Sequence, residues 1–215
     1  MTITLYNEIL RLLPQKAIFW PREKALLIAD AHFGKVGHFR KAGVPVPNQL
    51  LHNDIDLLTE LLKTHQPQKL IFLGDLFHSN INYDWEIFGA WRNAFKNVEF
   101  HLVKGNHDRM EAQFFKDFSI ELHDPVLKIE PFIFSHIPFK NSDDISNDSY
   151  LLAGHVHPGI QLRGKGRQAA RLPCFYFGER QGILPAFGGF TGLGIIQLAQ
   201  NSRVFVVVEN EIIKL

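Results

Sequence analysis

The residues of this chain whose types and placement could do chemistry fall in five short sets. They are Asp30-Ala-His32, Gly74-Asp75, Gly105-Asn106-His107-Asp108, His136, and Gly154-His155-Val-His157. Each set closes an apolar run: ALLIAD, LIFLGD, FHLVKGNHD, FIFSH and LLAGHVH. Short apolar runs bounded by Gly and polar residues read as buried strands. In open α/β sheets, sites form beyond the carboxyl ends of the strands, where loops converge. Polar residues at five such ends would therefore point into one place. Carboxylate, imidazole and amide carbonyl together suit Mn²⁺, Fe²⁺ or Zn²⁺, and Mg²⁺ less well because imidazole is a poor ligand for it. Asp30 and His32 are two apart, so an extended chain turns both to one side, and His155 and His157 repeat that spacing. Gly74, Gly105 and Gly154 each precede a candidate ligand, where a side chain would crowd the turn. A single Asp-x-His or Gly-Asn-His is an ordinary turn. The series is not explained by core packing, because buried Asp and His need partners.

The elements that must position these residues alternate in the first half of the chain. AIFW and ALLIAD flank a turn at Pro21 and read as adjacent strands, after an opening amphipathic segment. From Pro47 to Lys63, six apolar residues between Leu50 and Leu62 recur at helical spacing, and Pro67 ends the helix. Asp84 to Phe95 predicts a second helix with Trp85, Phe88, Trp91 and Phe95 on one face, and Arg109 to Asp117 a short third. After Gly159 the helical period disappears. CFYF, GIIQLAQ and VFVVVEN, separated by Gly, Pro and Asn, read as antiparallel strands. Asn141–Ser149 is a polar, acidic loop, and Gln161–Arg171 reads as a basic one. The fold class is a layered α/β architecture with mixed sheets.

Length and composition bound the rest. The 215 residues fit one domain, 1–215. A composition 46% hydrophobic and 21% charged is globular, not that of a disordered chain. A net charge of +1 argues against coating nucleic acid by bulk attraction and leaves room for a local basic patch. The single Cys174 excludes an internal disulfide and fits a reducing compartment. The opening residues lack a signal-peptide pattern, and no apolar run approaches the ~20 residues that span a bilayer. The expectation is a cytoplasmic protein with no membrane partner.

The ordered series from Asp30 to His157 resembles the calcineurin-like metallophosphoesterase signature. That resemblance implies a β-sandwich of two mixed sheets flanked by helices, with a dinuclear site at its edge. It implies Asp30, His32, Asp75 and His157 on one divalent metal ion. Asp75, Asn106, His136 and His155 would hold the other, with Asp75 as the bridge. Mn²⁺ is the first choice of metal, with Fe²⁺ and Zn²⁺ as alternatives. It further implies a metal-activated hydroxide attacking phosphorus in line, and His107 protonating the leaving oxygen or stabilising the transition state. The alternative for His107 is to orient a ligand. The family often carries an Asp three residues after the bridging one; here that position is His78, and Asp108 is a possible substitute for orienting His107.

Two further segments, HFGKVGHFRKAGVPVP and ILPAFGGFTGL, resemble the ligase-associated DNA damage response endonuclease group, often called PdeM. This narrower resemblance implies a phosphodiesterase or endonuclease acting on DNA in repair. It also implies an ATP-dependent DNA ligase, a ligase-associated exonuclease and a helicase as partners. A phosphatase or nucleotide phosphodiesterase with a small substrate, and a non-catalytic metal-binding scaffold, are the competing readings. Candidate substrate contacts are His38, Arg40, His78, Arg163 and Arg167. Lys165 and Arg171 share the basic stretch, and Arg suits bidentate phosphate contact. Exposed helix and hairpin faces are the alternative roles for these cations. Phe187 and Phe190 could stack on bases or pack under the C-terminal sheet. Trp85, Trp91 and Cys174 read as core.

Overall fold

A computed structural model describes residues 1–35, 49–78, 83–141, 144–164, 169–189 and 191–215, with the side chains of 49–52 and 83–84 outside that description. The chain opens as a hairpin, β1 (Thr2–Leu5) against β2 (Glu8–Leu13). Residues in both strands alternate buried and exposed, so the opening amphipathic segment is a pair of half-buried strands. Tyr6 and Asn7 turn it with positive φ values of 50° and 63°. Then come β3 (Ala17–Trp20) and β4 (Ala25–Ile28), antiparallel and buried along their whole length.

Helix α1 (Gln49–His65) turns Ile55, Leu58, Leu61 and Leu62 to the core. It ends where Gln66 adopts φ 45° ahead of Pro67, which cannot continue a helix. Strand β5 (Lys69–Leu73), helix α2 (Tyr83–Asn93), β6 (Glu99–Val103), helix α3 (Ala112–Asp117) and β7 (Ile120–His123) follow. Strands β4 to β7 pair in parallel and complete a seven-stranded mixed sheet in the order β1 to β7.

The second sheet begins with β8 (Val126–Ile129), β9 (Phe132–Ser135) and β10 (Tyr150–Ala153). It continues through β11 (Pro158–Arg163), β12 (Ala169–Phe177), β13 (Gln181–Ile183) and β14 (Gly194–Ile195). The last strands are β15 (Arg203–Val208) and β16 (Glu211–Lys214). Its order is β14-β11-β12-β13-β10-β9-β8, with β15 joining β12 and β16. Gln161 pairs with Arg171 in an antiparallel ladder, so most of the stretch read as a basic loop is strand.

The two larger cores follow from the period-two alternation of the strands. One face of the first sheet, with Leu26, Ile28, Leu70, Phe72, Phe100 and Leu102, packs on the helices. The other, with Leu27, Ile71, Leu73 and Val103, packs on the second sheet through Phe134, Leu152, Phe175 and Phe205. Large fully buried side chains such as Trp20 and Phe134 each contribute about 2–3 kcal/mol of burial. Trp85 lies in the helix-side core and Cys174 is buried, as the sequence implies; Phe187 is buried too, but in the helix-side core rather than under the C-terminal sheet. Trp91 is partly buried, and its indole N–H donates to Thr59 Oγ1 at 2.8 Å, tying α2 to α1. No helix among the described residues is long and apolar enough to cross a membrane.

Candidate metal centre

The carboxyl ends of β4, β5, β6, β9 and β10 converge, as their residues imply. Asp30 and His32 follow β4, Asp75 follows β5, Asn106 and His107 follow β6, His136 follows β9, and His155 and His157 follow β10. Five of these residues sit in the left-handed region: Asp30 (φ 52°), His32 (49°), Asp75 (49°), His155 (68°) and His157 (50°). That region costs an L-residue about 1–2 kcal/mol, and such strain gathers at functional sites. The turn carries each side chain abruptly off its strand and into the centre.

Glycines let the loops approach. A Cβ on Gly105 would stand 2.2 Å from Asp75 Oδ1 and 2.3 Å from the Asp75 amide nitrogen. On Gly74 it would stand 2.2 Å from His136 Nδ1. The segment after β13 supplies backbone support that the sequence reading did not assign to it: Phe187 N–H donates to Ala29 C=O at 2.8 Å and Gly188 N–H to Asp30 C=O at 3.3 Å.

Two groups of donors result: Asp30, His32 and His157, and Asp75, His136 and His155. In the first, His32 Nε2 lies 3.4 Å from His157 Nε2, and His157 Nε2 lies 3.4 Å from Asp30 Oδ1. In the second, His136 Nε2 lies 2.9 Å from Asn106 Oδ1, 3.0 Å from His155 Nδ1 and 3.5 Å from Asp75 Oδ2. Asp75 Oδ2 also stands 3.9 Å from His32 Nε2.

The chemistry of this set fits cations. His136 Nδ1 lies 3.1 Å from Leu73 C=O, which can only accept; this selects the tautomer with its proton on Nδ1 and leaves the Nε2 lone pair toward Asn106 Oδ1 and Asp75 Oδ2. Acceptors facing acceptors are repulsive until a cation stands between them. Asp30 is fully buried, its Oδ2 accepts from His155 N–H at 2.9 Å, and its Oδ1 has no hydrogen-bond partner. A buried carboxylate oxygen in that state matches a metal ligand. Burial, reinforced by Lys35 and the histidines His157, His78 and His107, pushes His32 down to about 2, so its imidazole is neutral. Burial and then His136 also lower His155.

Asp108 does not orient His107. It is 1% exposed, and its carboxylate accepts from the amides of Gly105 (2.9 Å), Leu76 (3.0 Å) and Phe77 (3.3 Å). It thereby locks the loop after β5 to the loop after β6, a role missed because the adjacent position gave no sign of where the side chain turns. His107 lies at the rim with Nε2 4.0 Å from Asp75 Oδ2 and its side chain 34% exposed. Its ring stacks on His78 with centroids 5.0 Å apart and meets His32 edge-on at 5.5 Å.

Arg163 is carried away from the donors. It is exposed at the far end of β11, which starts at Pro158 beside the centre and runs extended for about 3.3 Å per residue. His38, Arg40, Lys165, Arg167 and Phe190 lie outside the described residues. Beside Asn106 and His136 opens a cavity of about 860 Å³, lined also by Lys104, Ile137, Phe139 and Lys140. Lys104 Nζ is 3.2 Å from Asp124 Oδ2 at its edge.

A family model for calcineurin-like phosphoesterases matches residues 24–173, and the chain belongs to that family. It is a metal-dependent phosphoester hydrolase of the two-sheet α/β class. Among solved structures it is similar to the Pseudomonas putida nuclease MPE at 32% identity and TM-score 0.82, over 100% of this chain and 99% of that one. It matches the Aquifex aeolicus protein AQ665 at 22% identity and TM-score 0.45, covering 66% of this chain and 82% of that one. It matches the E. coli phosphoesterase Yfce at 12% identity and TM-score 0.44, covering 88% and 96%. No curated protein matches the chain.

Proposed function

We propose that residues 1–215 act as one domain, a two-metal phosphodiesterase or endonuclease that cuts DNA or another phosphodiester. The observation that carries this reading is the position of Asp75 Oδ2, 3.5 Å from His136 Nε2 and 3.9 Å from His32 Nε2, between the two donor groups. Asp30, His32, Asp75 and His157 then serve one ion. Asp75, Asn106, His136 and His155 serve the other. Asp75 would be the carboxylate shared by both groups. When bound there, two divalent cations, Mn²⁺ first and Fe²⁺ or Zn²⁺ next, would supply positive charge against the phosphoryl oxygens and lower the pKa of water toward neutrality.

The chain's own residues do the remaining work. Asp30 and Asp75 each commit one carboxylate oxygen to a backbone amide, of His155 and His107, both at 2.9 Å. Their other oxygens are held toward the centre before any substrate arrives, which reduces reorganisation during reaction. His107, at the open rim, delivers a proton to the leaving oxygen. Stacking on His78 limits the rotation of its ring. The cavity beside Asn106 and His136 supports a substrate with bulk beyond its phosphate, and Lys104 and Lys140 line it. Whole-chain similarity to a nuclease supports a nucleic-acid diester. A cytoplasmic repair role beside an ATP-dependent DNA ligase, an exonuclease and a helicase extends this reading through the sequence resemblance. The net charge of +1 favours a second reading, a phosphatase or nucleotide phosphodiesterase with a small substrate.

The test compares bis-p-nitrophenyl phosphate with p-nitrophenyl phosphate, with added Mn²⁺, for wild type, Asp75→Ala and His107→Ala. Metal-dependent diester cleavage, reduced at least about a hundredfold in both variants, is expected. Single-stranded and duplex DNA are then the next substrates. Cleavage of the monoester alone would select the small-substrate reading.

A further inference from the structure

Away from the centre, the edge of the first sheet carries a third group of donors, formed by His101 on β6 and by Glu121 and His123 on β7. The pairing of β6 with β7 brings them together. His101 is in register with Glu121, Val103 with His123, and alternation puts all three on one face. His101 Nδ1 lies 3.1 Å from His123 Nε2 and 3.4 Å from Glu121 Oε2, and His123 Nε2 lies 3.7 Å from Glu121 Oε1. Ligands about 2.0–2.1 Å from one tetrahedral ion are about 3.3–3.4 Å apart, and the observed 3.1 Å (also a His–His hydrogen bond), 3.4 and 3.7 Å, which use both Glu121 oxygens, bracket that spacing.

A second observation points the same way. His101 Nε2, on the opposite edge of the ring, is buried without a hydrogen-bond partner and lies 3.7 Å from Glu99 Oε2. Glu99 is 67% exposed and can close that gap by rotation. A metal-binding histidine usually donates its second N–H to a carboxylate, which fixes the lone pair on the ligating nitrogen. Glu99 stands where that carboxylate belongs. The His101 and His123 side chains are only 12% and 16% exposed, whereas Glu121 is 67% exposed, so an ion could enter from the Glu121 side. Burial, partly opposed by Glu121, lowers His123 and favours its neutral, ligating form.

We propose that His101, His123 and Glu121 form a separate site for a borderline divalent transition ion such as Zn²⁺, supported by Glu99. This site is independent of the phosphoesterase reading. His101 precedes Asn106 by five residues, which at ~3.3 Å per residue puts the ion on the order of 15 Å along the chain from the catalytic loop. With three protein ligands it leaves a coordination position for water. Its physical effect is to clamp β7, the edge strand of the seven-stranded sheet, onto β6, which leads into Asn106 and His107.

The test uses the full chain, stripped with chelator and titrated with Zn²⁺ by equilibrium dialysis with elemental analysis. Wild type is compared with His101→Ala/His123→Ala and, as a milder change that leaves both rings, with Glu121→Gln. The double variant should hold one equivalent fewer than wild type at micromolar free Zn²⁺, with hydrolysis of bis-p-nitrophenyl phosphate in Mn²⁺ retained. Glu121→Gln and Glu99→Gln should weaken that one equivalent about 10–100-fold. Co²⁺ in place of Zn²⁺ should give visible absorption that the Glu121→Gln variant alters. Equal stoichiometry in wild type and the double variant, or a difference appearing only at millimolar Zn²⁺, overturns the proposal. If the double variant does not fold, Glu121→Gln binding Zn²⁺ as tightly as wild type overturns it equally.

Discussion

Replacing Asp108 tests whether one buried carboxylate holds the two loops that carry Asp75 and Asn106. Alanine would strip the acceptors from three amides, those of Gly105, Leu76 and Phe77, at a position 1% exposed. A buried N–H left without an acceptor costs about 1–3 kcal/mol. With partial rescue by water, Asp108→Ala should lose about 3–5 kcal/mol. Asparagine can keep its oxygen on Leu76 and Phe77 while its NH₂ meets the Gly105 N–H. That leaves the Gly105 N–H and the NH₂ facing it without acceptors, so with the same partial rescue by water Asp108→Asn should lose about 1–3 kcal/mol. The assay is urea unfolding followed by tryptophan fluorescence in chelator, so that metal binding does not add to stability. It should be run at pH 8, above the value of about 6 to which burial pushes Asp108. Diester hydrolysis with Mn²⁺ should fall in both variants even in the absence of urea, because Gly105 precedes Asn106 and Leu76 follows Asp75. A loss below about 1 kcal/mol in Asp108→Ala, or equal losses in the two variants, would refute the amide-clamp argument.

Other outcomes follow from the same geometry. Gly105→Ala drives a methyl to 2.2 Å from Asp75 Oδ1, so Mn²⁺-dependent hydrolysis should fall at least about a hundredfold, measured as kcat/KM. Asp54 accepts from Gly189 N–H at 3.1 Å, and burial pushes it up to about 6 from an ordinary 3.8. Between about pH 4 and 6 the folded state therefore holds a proton that the unfolded state has released. Stability contributed below pH 4 should decline as pH rises through about 4–6 and then level off. Asp54→Asn should flatten that slope and gain about 1–3 kcal/mol at pH 7 in urea melts across pH. Cys174 is fully buried and its thiol is pushed up to about 12, so it should resist Ellman's reagent in the native protein and react on unfolding.

Much of the centre was legible because strand-end ligands leave a local signature. A buried apolar run that stops at Gly-Asp or Gly-Asn-His has no packing reason to do so, and the parallel strands β4 to β6 carry those ends to one side. The helix from Gln49 to His65 was equally readable from its apolar period. The opening hairpin was less so, because its short strands, two-residue turn and alternation over few positions fit more than one amphipathic element. Arg163 illustrates the opposite limit. Its closeness in sequence to His157 implied closeness in space, but β11 is extended and removes it.

The sequence by itself determined the donor types, their order, the glycines that admit them and the alternation that fills two cores. These are local properties: a residue's chemistry, its spacing along one element and the size of its neighbour. Only the tertiary structure decided where Asp108 turns, that the Leu184–Gly188 segment braces the loop at Asp30, and that His101, Glu121 and His123 meet across two strands. Each of those depends on pairing between segments distant in the chain or on one rotamer among several. No pattern of spacing encodes such a choice, because it is made by the free energy of the whole packed arrangement.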